Sequence, residues 1–70
     1  MKALPHLTPR EEQVAAYLAK RWTNHEIARA LVVSTRTVEA HVAHVLAKLE
    51  AVDRREAGEV WLRLVGEKDQ

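Results

Sequence analysis

One stretch with recognition chemistry to offer is Ser34-Thr35-Arg36-Thr37 followed by Glu39, Ala40, His41, Ala43, His44 and Lys48. Arg36 can fork onto the N7 and O6 acceptors of a guanine, and Glu39 can accept from a cytosine amino group. Ala40 and Ala43 can touch thymine methyl groups. Plainer readings stand beside these. Arg36 and Glu39 lie three residues apart and can form an exposed ion pair of little worth, and alanines are ordinary helix-favouring residues. His41 and His44 are one helical turn apart, but a metal site needs at least one further ligand and the chain has no Cys. No metal and no cofactor is expected.

Catalytic parts are missing from the sequence. It has no thiol nucleophile, no Gly-rich phosphate loop, no Ser-His-Asp arrangement and no clustered carboxylates. Glu11 and Glu12 are adjacent, so a helix points them to different sides. The chain reads as a binding protein and not as an enzyme.

Helices must position these groups. Ala, Leu and Val dominate the apolar 47% of the 70 residues, and no Gly or Pro occurs between residues 10 and 57. That composition offers few hairpin turns and predicts an all-α fold. Thr8, Pro9 and Glu11 form a capping box with Pro at the first helical position, and Val14, Tyr17 and Leu18 then share a face. Thr23 or Asn24 caps a second, short helix with Ile27, Ala28 and Leu31 inward. Ser34 caps a third, in which Val38, Val42, Val45, Leu46 and Leu49 make the clearest apolar stripe in the chain. Alternation would instead bury Ala40 and His44 with Val38 and Val42, so the period excludes an edge strand. Asp53, with Glu56 three residues on, opens a fourth helix, and Gly66 is a plausible stop before a polar tail expected to fray. The helices are predicted at about 9–20, 24–31, 35–49 and 54–65, in a single domain over residues 1–70. The short second helix, a tight turn and a longer third helix make a helix-turn-helix pattern.

The residues in register make the pattern specific. Leu7-Thr8-Pro9-Arg10-Glu11, then Glu26-Ile27-Ala28, then Ser34, Thr37, Val38, His41, Lys48 and Leu49, then Arg54, resemble the LuxR-type (GerE-type) helix-turn-helix domain of bacterial transcription regulators over roughly Leu7 to Leu64. The fourth region of sigma factors has a related pattern; His41 and Asp53-Arg54 favour the LuxR type. The resemblance implies a four-helix domain that binds double-stranded DNA with its third helix in the major groove. By it, Asn24 lies where the second helix meets the backbone, Ser34, Thr35 and Thr37 open the reading helix, and Lys48 meets a phosphate. His41 lies beside the backbone, with His44 next to it. The plainer reading of Thr37 is a local bond in the first helical turn, and that of Lys48 is a solvated helix-end cation.

Two departures from the family pattern stand out. Arg21 and Glu50 occupy positions where the family ends its first and third helices with Gly in a left-handed cap, which predicts shifted helix ends. Glu39 replaces a frequent Lys or Arg. The third helix then carries Arg36 and Lys48 against Glu39, little charge for a duplex-binding helix. The net charge of +1 conceals a gradient: residues 1–22 hold four Lys/Arg against two Glu, and residues 50–70 hold four against six Asp/Glu.

On the fourth helix Ala57, Val60 and Leu64 suit the core, and Gly58, Trp61, Leu62 and Val65 form a second stripe. An apolar second stripe on so small a domain predicts a two-fold homodimer through this helix; the plainer reading packs Trp61 against Tyr17 or Trp22. The partners expected are DNA and a second copy, with RNA polymerase as a further partner and no membrane. No apolar run is long enough for a membrane span or a signal peptide, so the expected location is cytoplasmic, at the nucleoid. The sequence is compatible with a stand-alone regulator or the output piece of a longer one. The alternative function is a helix-turn-helix interaction or dimerisation module with little or no DNA binding.

Overall fold

A computed structural model describes residues 6–68 of the chain, with side chains through residue 66. Among these residues it is all-α: α1 (Pro9–Ala19), α2 (Asn24–Leu31), α3 (Thr35–Leu49) and α4 (Arg54–Lys68). Local chemistry sets each start. Thr8 and Glu11 form a reciprocal capping box, as do Thr23 and Glu26. Ser34 Oγ accepts from the Thr37 amide at 3.1 Å. Asp53 Oδ1 accepts from the Glu56 amide at 2.9 Å, and the Glu56 carboxylate reaches back one residue further than in a standard box, to the Val52 amide at 2.7 Å. These bonds satisfy amide donors that a helix start leaves unpaired.

One apolar core joins the four helices. It contains Val14, Ala15 and Leu18 of α1, Ile27 and Ala28 of α2, Val38, Val45 and Leu49 of α3, and Ala57 of α4. Tyr17, Leu31, Val42, Leu46, Val60 and Leu64 pack around it, half-buried. Trp22 stacks on Tyr17 with ring centroids 4.5 Å apart, and Lys20 Nζ lies 5.9 Å from the Trp22 ring centroid. These contacts close the core beneath the α1–α2 connection.

The helix ends differ from expectation. Arg21 and Glu50 do not shift the boundaries; they adopt the left-handed conformation themselves, at φ 64° and 56°. Val32, which ends α2, does the same at φ 57° although β-branched and 88% exposed. Non-glycine residues in this region cost about 1–2 kcal/mol each. The cost is borne because the same turns carry compensating bonds: Trp22 N donates to Tyr17 O, Val33 N to Ala28 O and Ala51 N to Leu46 O. The second difference is at the far end. α4 runs through Gly66 to Lys68, since Gly66 keeps a negative φ and nothing opposes continuation. Fraying at residues 69–70 lies outside the described residues.

Candidate nucleic-acid interface

The α2–α3 pair is built on a three-residue turn, Val32-Val33-Ser34. Ala28 is buried where the helices meet, and its carbonyl accepts from the Val33 amide at 3.0 Å. From the turn, α3 buries Val38, Val45 and Leu49 and leaves Thr35, Arg36, Glu39, Ala40, Ala43 and Ala47 exposed. Arg36, Glu39, Ala40 and Ala43 are therefore on a face that is exposed.

At the head of α3, Ser34 Oγ donates to Thr37 Oγ1 at 3.0 Å while accepting from the Thr37 amide. The two hydroxyls form one pair at the helix head, and each can both donate and accept. Arg36 is in none of the ion pairs of the described residues, which are His44–Glu11, Lys48–Glu11 and Arg55–Glu59. The local Arg36–Glu39 pair does not form, and both side chains face solvent. His41 is half-buried and His44 exposed. No cluster of three metal-ligating side chains occurs among the described residues.

Three residues with expected roles have other engagements. Lys48 Nζ lies 2.8 Å from Glu11 Oε1, across 37 residues of sequence. Glu11 is the buried polar residue of the core region, 6% exposed. Its Oε1 also accepts from the Thr8 amide at 3.0 Å, and its Oε2 stands 3.9 Å from His44 Nδ1. The Lys48 hydrogen bond, followed by the Thr8 amide bond, holds the Glu11 carboxyl below the usual carboxylate range. Asn24 begins α2, but Thr23 is its cap; Asn24 Oδ1 accepts from Arg54 Nη1 at 2.7 Å. Arg54 Nη2 donates to Trp22 O at 2.7 Å, so one guanidinium fastens the start of α4 to the α1–α2 connection.

The third is Gly58. It is buried within the chain: a Cβ there would lie 2.8 Å from Ala19 Cα and 2.9 Å from Leu18 O. Its missing side chain lets α4 cross the end of α1, which corrects the expectation that it serves a second copy. Trp61 is half-buried and packs against the core, while Tyr17 and Trp22 stack on each other. Leu62 is 58% exposed and Val65 half-buried. The outward stripe of α4 is thus narrower than its sequence suggests.

Sequence reasoning missed the roles of Glu11 and Arg54. A signal for Glu11 was present: residues 11, 14, 15 and 18 fall at i, i+3, i+4 and i+7, so this carboxylate shares the buried face of α1 and must find a partner there. Nothing local signals which cation supplies it.

A capped α2, a three-residue turn and an α3 with one face buried and one open define a helix-turn-helix domain. Residues 5–60 match the GerE family, bacterial regulatory proteins of the luxR family, and the chain belongs to that family. It is similar to the uncharacterized transcriptional regulatory protein YhcZ of Bacillus subtilis, 49% identical over 51 residues, which are 73% of this chain and 24% of that protein. It is also similar to the response regulator protein VraR of Staphylococcus aureus and of Staphylococcus epidermidis, 43% identical in each case over the same shares. The chain spans 24% of the length of these relatives. No helix among the described residues is long and apolar enough to cross a membrane.

Proposed function

We propose that the chain is a sequence-specific double-stranded-DNA-binding domain acting in transcriptional regulation, with α3 in the major groove. The observation that carries this reading is the open face of α3, where Arg36, Glu39, Ala40 and Ala43 are exposed and Arg36 is unpaired. Arg36 reads a guanine and Glu39 accepts from a cytosine. Thr37 donates its hydroxyl proton to a phosphate, beside Ser34 and Thr35. His41 and His44 flank the backbone, and the start of α2 at Asn24 seats the domain on it. Two copies associate through Leu62, Trp61 and Val65 of α4 and read half-sites about one helical turn apart. RNA polymerase as a further partner and a cytoplasmic location at the nucleoid belong to the same reading.

Selection of bound duplexes from a random pool tests it, followed by affinity measurements against salt. Enrichment of a two-fold site, with log affinity falling against log salt at about −0.9 per phosphate neutralised, is the expected result. Arg36→Ala should relax preference at one base position, at about 1–3 kcal/mol. A sedimenting monomer at high micromolar concentration would remove the dimer. The second reading, an interaction module, is favoured by one observation: Glu11 engages the Lys48 charge, which leaves Arg36 opposed by Glu39 on α3. Absence of any duplex binding at low salt would select it.

A further inference from the structure

The Glu11–Lys48 pair bears directly on how α3 is held. Glu11 is anchored twice at the start of α1, since its amide donates to Thr8 Oγ1 at 3.1 Å and its Oε1 accepts from the Thr8 amide at 3.0 Å. The side chain of Glu11 is 8% exposed and that of Lys48 is 39% exposed. A carboxylate this buried requires a partner. The partner comes from the last turn of α3, opposite the end at which Ser34 and the turn fix the helix. Arg36 lies twelve residues from Lys48, about 18 Å along the axis, so with the Ser34 end fixed a change of tilt at Lys48 turns Arg36 about the helix start and swings the exposed Ala40, Ala43 and Ala47 furthest. For Lys48 to meet a phosphate it would have to leave Glu11 without a counter-charge, or bring an anion towards that carboxylate.

We infer that Lys48 acts in DNA recognition through Glu11, as a positioning residue that sets the C-terminal end of α3 on α1, and not as a phosphate ligand. This rests on the DNA-binding reading. Removing either partner lets α3 tilt and weakens binding without changing the number of phosphates neutralised. Removing both does no more than removing one, because the two groups act as a unit.

The test uses the full chain and a duplex selected by the wild-type protein. Affinity is measured by fluorescence anisotropy at several salt concentrations, below the melting transition of each variant. Glu11→Gln retains an acceptor for the Thr8 amide but loses the charge facing Lys48; Lys48→Met retains much of the stem but loses the cation. Each should weaken binding by roughly two- to thirty-fold, the double variant should match the singles, and the salt slope should stay at the wild-type value. A slope about 0.9 shallower in Lys48→Met, with a further loss in the Glu11→Gln background, overturns the inference. So does unaltered affinity in folded variants, which would make the pair merely structural. If Lys48→Met does not fold, Glu11→Gln decides alone: a released phosphate ligand would leave affinity unchanged or raise it, whereas a lost positioning contact lowers it. A wild-type protein that selects no duplex ends the DNA reading and this inference together, an outcome distinct from a binding wild type whose Lys48→Met variant has the shallower slope.

Discussion

α1 with α4, and α2 with α3, are two helix pairs built for different ends. Where α1 meets α4, the contact is as close as backbone permits: Gly58 lies against Ala19 and Leu18, and Arg54 bonds Trp22 of the α1–α2 connection and Asn24 at the start of α2. Where α2 meets α3, Ala28 and Val38 close the inner side, and the outer side of α3 is left to solvent. The first pair spends polar groups on holding the rest of the chain: Glu11 on Lys48 of α3, and Arg54 on Trp22 and Asn24. The second holds some in reserve, with Arg36 in none of the ion pairs of the described residues. A scaffold fixes a reading helix by satisfying its own groups, and the groups left unsatisfied mark the surface that meets a partner.

Breaking the scaffold should therefore have the largest effect. Gly58→Leu forces a side chain into the backbone of Ala19 and should destabilise the fold by about 3 kcal/mol, read from denaturant unfolding. A variant as stable as wild type would show that α4 does not need this close approach. Arg54→Met leaves Trp22 O and Asn24 Oδ1 without their donor and should cost about 1–3 kcal/mol. The same measurement reads it.

Smaller and opposite in sign is the relief of the three left-handed residues. Arg21→Gly, Val32→Gly and Glu50→Gly should each stabilise by about 0.5–1 kcal/mol, the strain removed less the entropy that Gly adds to the unfolded chain. Melting temperatures that fall would mean that the replaced side chains contribute more than their strain. The smallest effect is pH-dependent. The Glu11 carboxyl titrates below its ordinary value, so its contribution is present above the unfolded carboxylate pKa of about 4.3 and is lost as pH falls through the lower folded value. The stability difference between wild type and Glu11→Gln should be level from neutral pH to about pH 5 and close in more acid solution. A difference that persists at pH 2 would mean that charge on Glu11 is not what holds the pair.

Local rules made much of the architecture legible. Capping residues act over three positions, so Thr8, Thr23, Ser34 and Asp53 mark the starts of all four helices in the sequence itself. Apolar periodicity likewise gave Val38, Val45 and Leu49 of α3. The helix ends were less legible because tertiary packing overrode residue preference: Arg21 and Glu50 take a glycine's conformation where the fold demands it. Long-range choices were not legible. Gly58 announces a close approach but not by which helix, and Lys48 announces a cation at a helix end but not the carboxylate 37 residues away. On the open face the reverse holds. Arg36, Glu39, Ala40 and Ala43 are where the sequence puts them, because a surface that packs against nothing within the chain has no tertiary term to displace it.

The central claim is that the open face of α3 is the surface that meets DNA. Backbone amide shifts of the labelled protein, followed by nuclear magnetic resonance during titration with a selected duplex, test it most directly. The largest changes should fall on Ser34 to Ala43 and on the start of α2, while Leu18, Ala19 and Gly58 stay unmoved. Changes confined to Trp61, Leu62 and Val65, or none with any duplex at low salt, would contradict it.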